Sequence, residues 1–125
     1  MEILNLTQHK ATPDQEKAGV RNLEGDKLAK LKELLNFKGI PTDYVLWDRA
    51  SKIAALAEQE GAKSVMIGGA LYFMSWLENA LLRRGINIKY SFSIRESKDV
   101  HMDDGTVRKE QLFKHIGFYE RLANY

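Results

Sequence analysis

The sequence predicts an α/β fold in which a parallel sheet is flanked by helices and extended at its C-terminal end by an antiparallel β-hairpin. Three observations carry this expectation. Short apolar runs alternate with longer amphipathic stretches, the pattern of β-α-β units. The segment from Ser64 to Ser97 reads as strand, glycine turn, helix, strand, which calls for two parallel strands joined by a crossover helix. Beyond it, Asp103-Asp104-Gly105 sits between two alternating runs, a hairpin signature.

Taken in order, Glu2 to Leu6 is a first strand, and the polar loop Thr7-Gln8-His9-Lys10 follows at its carboxyl end. Thr12 has the spacing of an N-cap, with Pro13 at the first helical position and Gln15 three residues on, which predicts a short capped helix to Ala18. Val20 to Leu23 is a brief strand. Asp26 to Phe37 is a helix that buries Leu28, Leu31, Leu34 and Leu35. Thr42 caps a longer helix reaching about Glu60, with Leu46, Ala50, Ile53, Ala54 and Ala57 as its stripe. Ser64 to Ile67 is a buried strand, broken by Gly68-Gly69. Ala70 to Arg84 is a helix whose apolar face holds Met74, Leu77 and Leu81, and Gly85 stops it. Ile86 to Ile94 is a strand that ends at Arg95-Glu96-Ser97. Lys98 to Met102, Thr106 to Lys109 and Leu112 to Tyr119 are the extended pieces of the hairpin end. No linker or repeat divides the 125 residues, so one domain is expected.

Composition narrows the function. Lys and Arg number 10 against 11 Asp and Glu over residues 1–82, but 9 against 6 over residues 83–125. A mildly basic last third suits a small anionic ligand rather than a long nucleic acid. Cysteine is absent, which removes zinc-thiolate sites and thiol nucleophiles and fits a reducing compartment. No apolar stretch reaches membrane-spanning length and Met1-Glu2 opens no signal peptide, so a cytoplasmic protein without membrane association is expected. The loop after the first strand lacks G-x-G-x-x-G, and no phosphate-binding G-x-x-x-x-G-K-[ST] run occurs. No dinucleotide or other cofactor is therefore expected. His9, His101 and His115 lack metal-ligand spacing, so no metal site is expected.

In open α/β sheets, ligands sit beyond the carboxyl ends of the strands. Three such ends stand out here. Thr7, Gln8 and His9 follow the first strand; His9 is either an acid near a ligand or a loop residue holding the strand end. Gly68, Gly69 and Ala70 offer backbone N–H groups at a helix start, which favours anions or serves packing alone. Arg95, Glu96 and Ser97 offer a guanidinium, a good partner for phosphate. Lys109 is either a second cation or part of a solvated face, and His115 is either a structural histidine or aimed at the site.

Several of these stretches resemble a known family. His9-Lys10-Ala11-Thr12-Pro13-Asp14-Gln15 resembles the H-x-x-T-x-E-Q opening of small CRISPR-associated, CARF-like ring nucleases. Gly69-Ala70-Leu71-Tyr72-Phe73 resembles that family's helix start. Tyr90-Ser91-Phe92-Ser93-Ile94-Arg95-Glu96-Ser97, Asp104-Gly105-Thr106-Val107 and Phe113-Lys114-His115-Ile116-Gly117-Phe118 resemble its R-E strand, its hairpin turn and its closing strand. The resemblance covers both ends and the central unit, and leaves residues 20–60 outside. It implies a Rossmann-like, CARF-like homodimer that binds a cyclic oligoadenylate, cyclic tetra-adenylate above all. The ring would be cut without metal to linear products ending in 2′,3′-cyclic phosphate, switching off type III CRISPR signalling. On this reading Arg95 stabilises developing phosphate charge, His9 is acid or orienter, and Lys109 or His115 is a second cation. Thr7, Gln8, Gly68, Gly69, Ala70, Ser93, Glu96, Ser97 and His115 hold the ligand. The alternatives are a non-catalytic cyclic-nucleotide binder (sensor or sponge) and another nucleotide-binding α/β protein.

Overall fold

Five strands form one mixed sheet in the order β2-β1-β3-β4-β5. The structure, a computed structural model, describes residues 2–123. Its elements are β1 (Ile3–Asn5), α1 (Pro13–Lys17), β2 (Val20–Asn22), α2 (Gly25–Leu35), α3 (Asp43–Gln59), β3 (Ser64–Met66), α4 (Leu71–Arg83), β4 (Asn87–His101) and β5 (Val107–Arg121). The strands β2, β1, β3 and β4 run parallel, and β5 pairs antiparallel with β4. The α/β class, the flanking helices and the C-terminal hairpin match the expectation from sequence.

Local chemistry explains the elements. Thr12 caps α1 through a reciprocal box: its hydroxyl accepts from the Gln15 backbone, and the Gln15 side chain accepts from the Thr12 N–H. The Thr42 hydroxyl caps α3 by accepting from the Val45 N–H at 3.2 Å. Gly85, at φ 75°, takes the left-handed conformation that ends α4, where a side chain would be strained.

The two faces of the sheet are unequal. Leu4, Leu6, Val65, Ile67 and Ile88 face α2, α3 and α4 and join Leu31, Ile53, Phe73, Leu77 and Leu81 in the main core. The alternate residues Ile3, Val20 and Met66 pack with Ala11 and Phe118 in a smaller cluster on the α1 face. Both strand connections around the sheet centre leave in opposite directions: β1 leads through α1 to β2, and β3 leads through α4 to β4. The topological switch therefore lies between the carboxyl ends of β1 and β3, the position where open α/β sheets bind ligands.

The hairpin corrects the sequence reading. Arg95, Glu96 and Ser97 do not end a strand. β4 runs unbroken from Asn87 to His101 and β5 unbroken from Val107 to Arg121. β3 reaches only Met66, paired with Lys89, so the outer parts of β4 and β5 leave the sheet as a two-stranded arm. Its turn is closed by Met102 N–H donating to the Thr106 carbonyl, and the Asp104 carboxylate accepts from the Thr106 hydroxyl and N–H. Those two donors hold the Asp104 carboxyl below its ordinary pKa. An irregularity between Phe92 and Ser93, which pair with Gly117 and His115, leaves Ile116 as an extra residue. Such a bulge bends a ribbon and increases its twist.

Candidate functional site

The loop after β1 is built on Asn5. This side chain is only 4% exposed. Its amide donates to the His9 carbonyl (2.8 Å) and to the Asn22 Oδ1 (2.9 Å), while its Oδ1 accepts from the Thr7 N–H and hydroxyl. Asn22, its register partner on β2, also accepts from the Ala11 N–H. A buried amide with both ends satisfied fixes the loop more sharply than apolar packing would. Around this loop lies a pocket of about 350 Å3 lined by Asn5, Thr7, Gln8, His9, Lys10, Asn22, Leu23, Glu24, Leu28 and Lys32.

Thr7 and His9 sit where a ligand at the switch point would meet them, with the His9 side chain exposed. Gln8 is tied elsewhere, donating from its side chain to the Leu35 carbonyl at the end of α2. Gly68 lies against this loop: a Cβ placed on it would be 3.7 Å from the Thr7 Cγ2. Gly69 has φ 150°, and Ala70 is the N-cap of α4, with no side chain capping the helix. These three expected residues lie beside Thr7 on the neighbouring strand end, outside the pocket's lining.

The arm carries the remaining residues. Opposite residues of an antiparallel pair share a face. The pairs Ser93–His115, Arg95–Phe113, Ser97–Gln111 and Asp99–Lys109 therefore place Ser93, Arg95, Ser97, Lys109 and His115 on one face. It is the face on which α1 lies, because Ser91, two residues before Ser93, accepts a hydrogen bond from the Gln15 side chain of α1 (3.1 Å). The Ser91 hydroxyl also meets His115 Nδ1 at 3.0 Å, and the His115 ring packs edge-on against Phe118. Arg95 stacks over Phe113, its guanidinium carbon 5.2 Å from the ring centre. Glu96 is the exception. It pairs with Leu112 on the opposite face, because successive strand residues alternate sides.

The structure thus divides the expected set. Thr7, Gln8 and His9 line the pocket toward β2 and α2, and Thr7 alone of them meets the glycine turn, at Gly68 beside the switch point. Arg95 stands four residues beyond Ser91 on β4, about 13 Å along the arm at the strand's rise per residue. Lys109 stands farther out still. Sequence reasoning passed over Asn5, Asn22, Lys10 and Lys32 around the pocket, and Ser91 and Phe113 on the arm. Asn5-Leu6 and Asn22-Leu23 end two adjacent strands with the same dipeptide, the one signal that could have marked the asparagine pair. Among the described residues, no three His, Cys, Asp or Glu side chains gather where a metal ion could be held. No helix among them is long and apolar enough to cross a membrane.

A family model described as the Uncharacterized protein MJ1673 family matches residues 1–119. The chain belongs to this family. The match to the MJ1673 family runs from the first strand to Tyr119 in β5, so it takes in the Asn5 loop, the glycine turn and the arm. No curated protein matches the chain, and no solved structure does.

Proposed function

We propose that the protein binds a cyclic oligoadenylate and cleaves it by attack of a ribose 2′-hydroxyl on the adjacent phosphorus. The observation that carries this reading is the shared face of the arm. Ser93, Arg95, Ser97, Lys109 and His115 line it in one strip, and Gln15 and Ser91 join the strip to the carboxyl side of the sheet. A strip of two cations, a histidine and an exposed aromatic ring suits a short RNA, whose phosphates need charge and whose bases stack. The motif resemblance adds the cyclic form of the ligand, and a Rossmann-like, CARF-like assignment of the fold belongs to the same reading.

The chemistry needs little from the protein beyond placement. The 2′-oxygen forms a bond to phosphorus, its proton passes to a base, the bond from phosphorus to the 5′-oxygen breaks, and that oxygen takes up a proton. The product ends in a 2′,3′-cyclic phosphate. Splaying the ribose into line and stabilising charge on the non-bridging oxygens supply most of the acceleration. Arg95 serves the charge, Lys109 adds a second cation, and His115 or His9 moves the proton. A two-fold pair of chains would set two such groups around a symmetric ring.

A second reading is favoured by one observation. Arg95 is six residues beyond Lys89, the register partner of the last residue of β3, about 20 Å along the strand, a spacing that suits holding a ligand better than concentrating charge on one phosphorus. That reading is a non-catalytic binder. Incubating the protein with cyclic tetra-adenylate in EDTA, followed by mass spectrometry, separates the two. Linear products with 2′,3′-cyclic phosphate ends, slowed about a hundredfold in Arg95→Ala, support cleavage. Tight binding of an intact ring selects the binder, and neither binding nor cleavage removes the cyclic oligoadenylate altogether.

A further inference from the structure

A chain of hydrogen bonds runs from α1 to the strip on the arm, and its direction can be read from one end. The Thr12 backbone N–H donates to the Gln15 side chain at 3.0 Å. A backbone N–H only donates, so the amide oxygen of Gln15 faces Thr12. The amide nitrogen then faces the other way, toward Ser91 Oγ at 3.1 Å. An amide nitrogen also only donates, so it occupies one lone pair of the Ser91 hydroxyl. The third link joins that hydroxyl to His115 Nδ1 at 3.0 Å. The helix cap thus sets the polarity of a contact on the hairpin.

The Ser91 hydroxyl has one proton left to give. Donated to Nδ1, that proton is satisfied, and the neutral ring carries its own proton on Nε2. In the opposite arrangement Nδ1–H and Gln15 both donate to the same oxygen, and the Ser91 proton has no acceptor among the described residues. Ser91 and His115 are both half-buried, where an unmade hydrogen bond is the costlier state. Nε2 bonds nothing among the described residues, and no buried side-chain polar atom among them lacks a partner, so Nε2 reaches solvent. Phe118 packs edge-on against the ring and steadies its plane. Arg95 lies two residues beyond Ser93, the cross-strand partner of His115, which puts both side chains within reach of one short ligand on this face.

We infer that Gln15 and Ser91 are positioning residues: they hold His115 in the tautomer with its proton on Nε2, which presents a hydrogen-bond donor to a phosphate oxygen of the ligand. The tautomer follows from the hydrogen bonds, and the phosphate as its partner rests on the ligand reading above. Within that reading the neutral ring has no lone pair free for the proton of the 2′-hydroxyl. His115 therefore holds a non-bridging oxygen beside Arg95, and the base is another group.

Nitrogen-15 NMR of the full chain at about pH 8.5, where an ordinary imidazole is neutral, tests it, because a bare ring nitrogen and a protonated one resonate far apart. The expected spectrum shows His115 with Nδ1 bare and Nε2 protonated. Gln15→Glu keeps the helix cap, since Glu is equally suited to that position, but puts an acceptor where the donor faced Ser91. The Ser91 proton then turns to the carboxylate, and Nδ1 is expected to gain a proton. Adding Ser91→Ala to Gln15→Glu breaks the relay and should leave Nδ1 bare again. That cycle separates the chain of bonds from the charge of the new carboxylate. With cyclic tetra-adenylate as the probe, Gln15→Glu should weaken binding about tenfold, the worth of one hydrogen bond. A wild-type His115 protonated at Nδ1 overturns the inference. So does a Gln15→Glu protein that keeps the wild-type pattern, a double variant that still protonates Nδ1, or a switched ring that binds the probe as tightly as before. The expected tautomers without any binding of the probe sink the ligand reading and leave the tautomer standing, whereas a bound probe with the proton on Nδ1 sinks this inference alone.

Discussion

Asn5 shows how one polar side chain can organise a ligand-facing loop. It lies in a strand whose neighbours Ile3, Leu4 and Leu6 are buried and apolar, yet it holds Thr7, His9 and Asn22 at once. Replacing it by alanine leaves the Thr7 N–H and the Asn22 side chain without that partner in a buried setting. Asn5→Ala is expected to cost about 2–3 kcal/mol of folding stability, measured by urea denaturation, and to weaken ligand binding more than Lys10→Ala does. At this scale the sequence was partly legible. Thr7, His9 and Gly68 could be placed because residues just after a buried run in an α/β chain must lie at the sheet's carboxyl edge. Asn5 and Asn22 could not, because a single polar residue inside a short apolar run reads as an interruption until the two strands are seen side by side. The guanidinium of Arg95 marks it in the sequence as an anion partner at an expected strand end. It shares a face with His115, but stands in the middle of β4.

The elements were read well wherever burial imposed a pattern. The stripes of α2, α3 and α4 follow from contact with the main core, and the caps at Thr12 and Thr42 follow from side-chain spacing alone. Where one strand is wet on both sides the pattern vanishes, and that is why β4 and β5 were each read as two pieces. Alternation reports which side of a strand is covered, and among the described residues nothing covers 93–99, all of which are exposed. The inner half of β4 is clamped instead. The Tyr90 hydroxyl donates to Glu78 of α4, which also pairs with Arg121 of β5. Burial first, and then the hydrogen bond to that carboxylate, push the Tyr90 hydroxyl pKa up from its ordinary value near 10. A phenol that holds its proton more tightly when folded contributes stability that is complete below about pH 10 and is lost as the pH climbs above it. Denaturant midpoints measured from pH 9 upward should therefore fall more steeply for the unaltered protein than for Tyr90→Phe.

The whole molecule combines a thick α-helical side with a thin one. Three helices back one face of the sheet, and α1 with Phe118 covers the other. The thin side is continuous with the Arg95 face of the arm, so an anionic ligand lying there would meet the cations of the arm. If about three phosphates are contacted, a tenfold rise in salt should weaken binding by roughly a hundredfold, on the slope for single strands. Titrations at two ionic strengths measure that slope directly, and a salt-independent affinity would mean that the cations do not touch the ligand.

β4 belongs to both worlds. Ile88 sits fully buried in the core, and seven residues later Arg95 stands in solvent on the same unbroken strand. A strand cannot be pulled straight or twisted at one end without the other feeding the strain into its neighbours. Anything that grips the outer half acts on a lever anchored in the hydrophobic centre, so occupancy at the periphery will be felt as tightness at the middle. The protein's melting temperature then becomes a gauge of what its outstretched limb is holding.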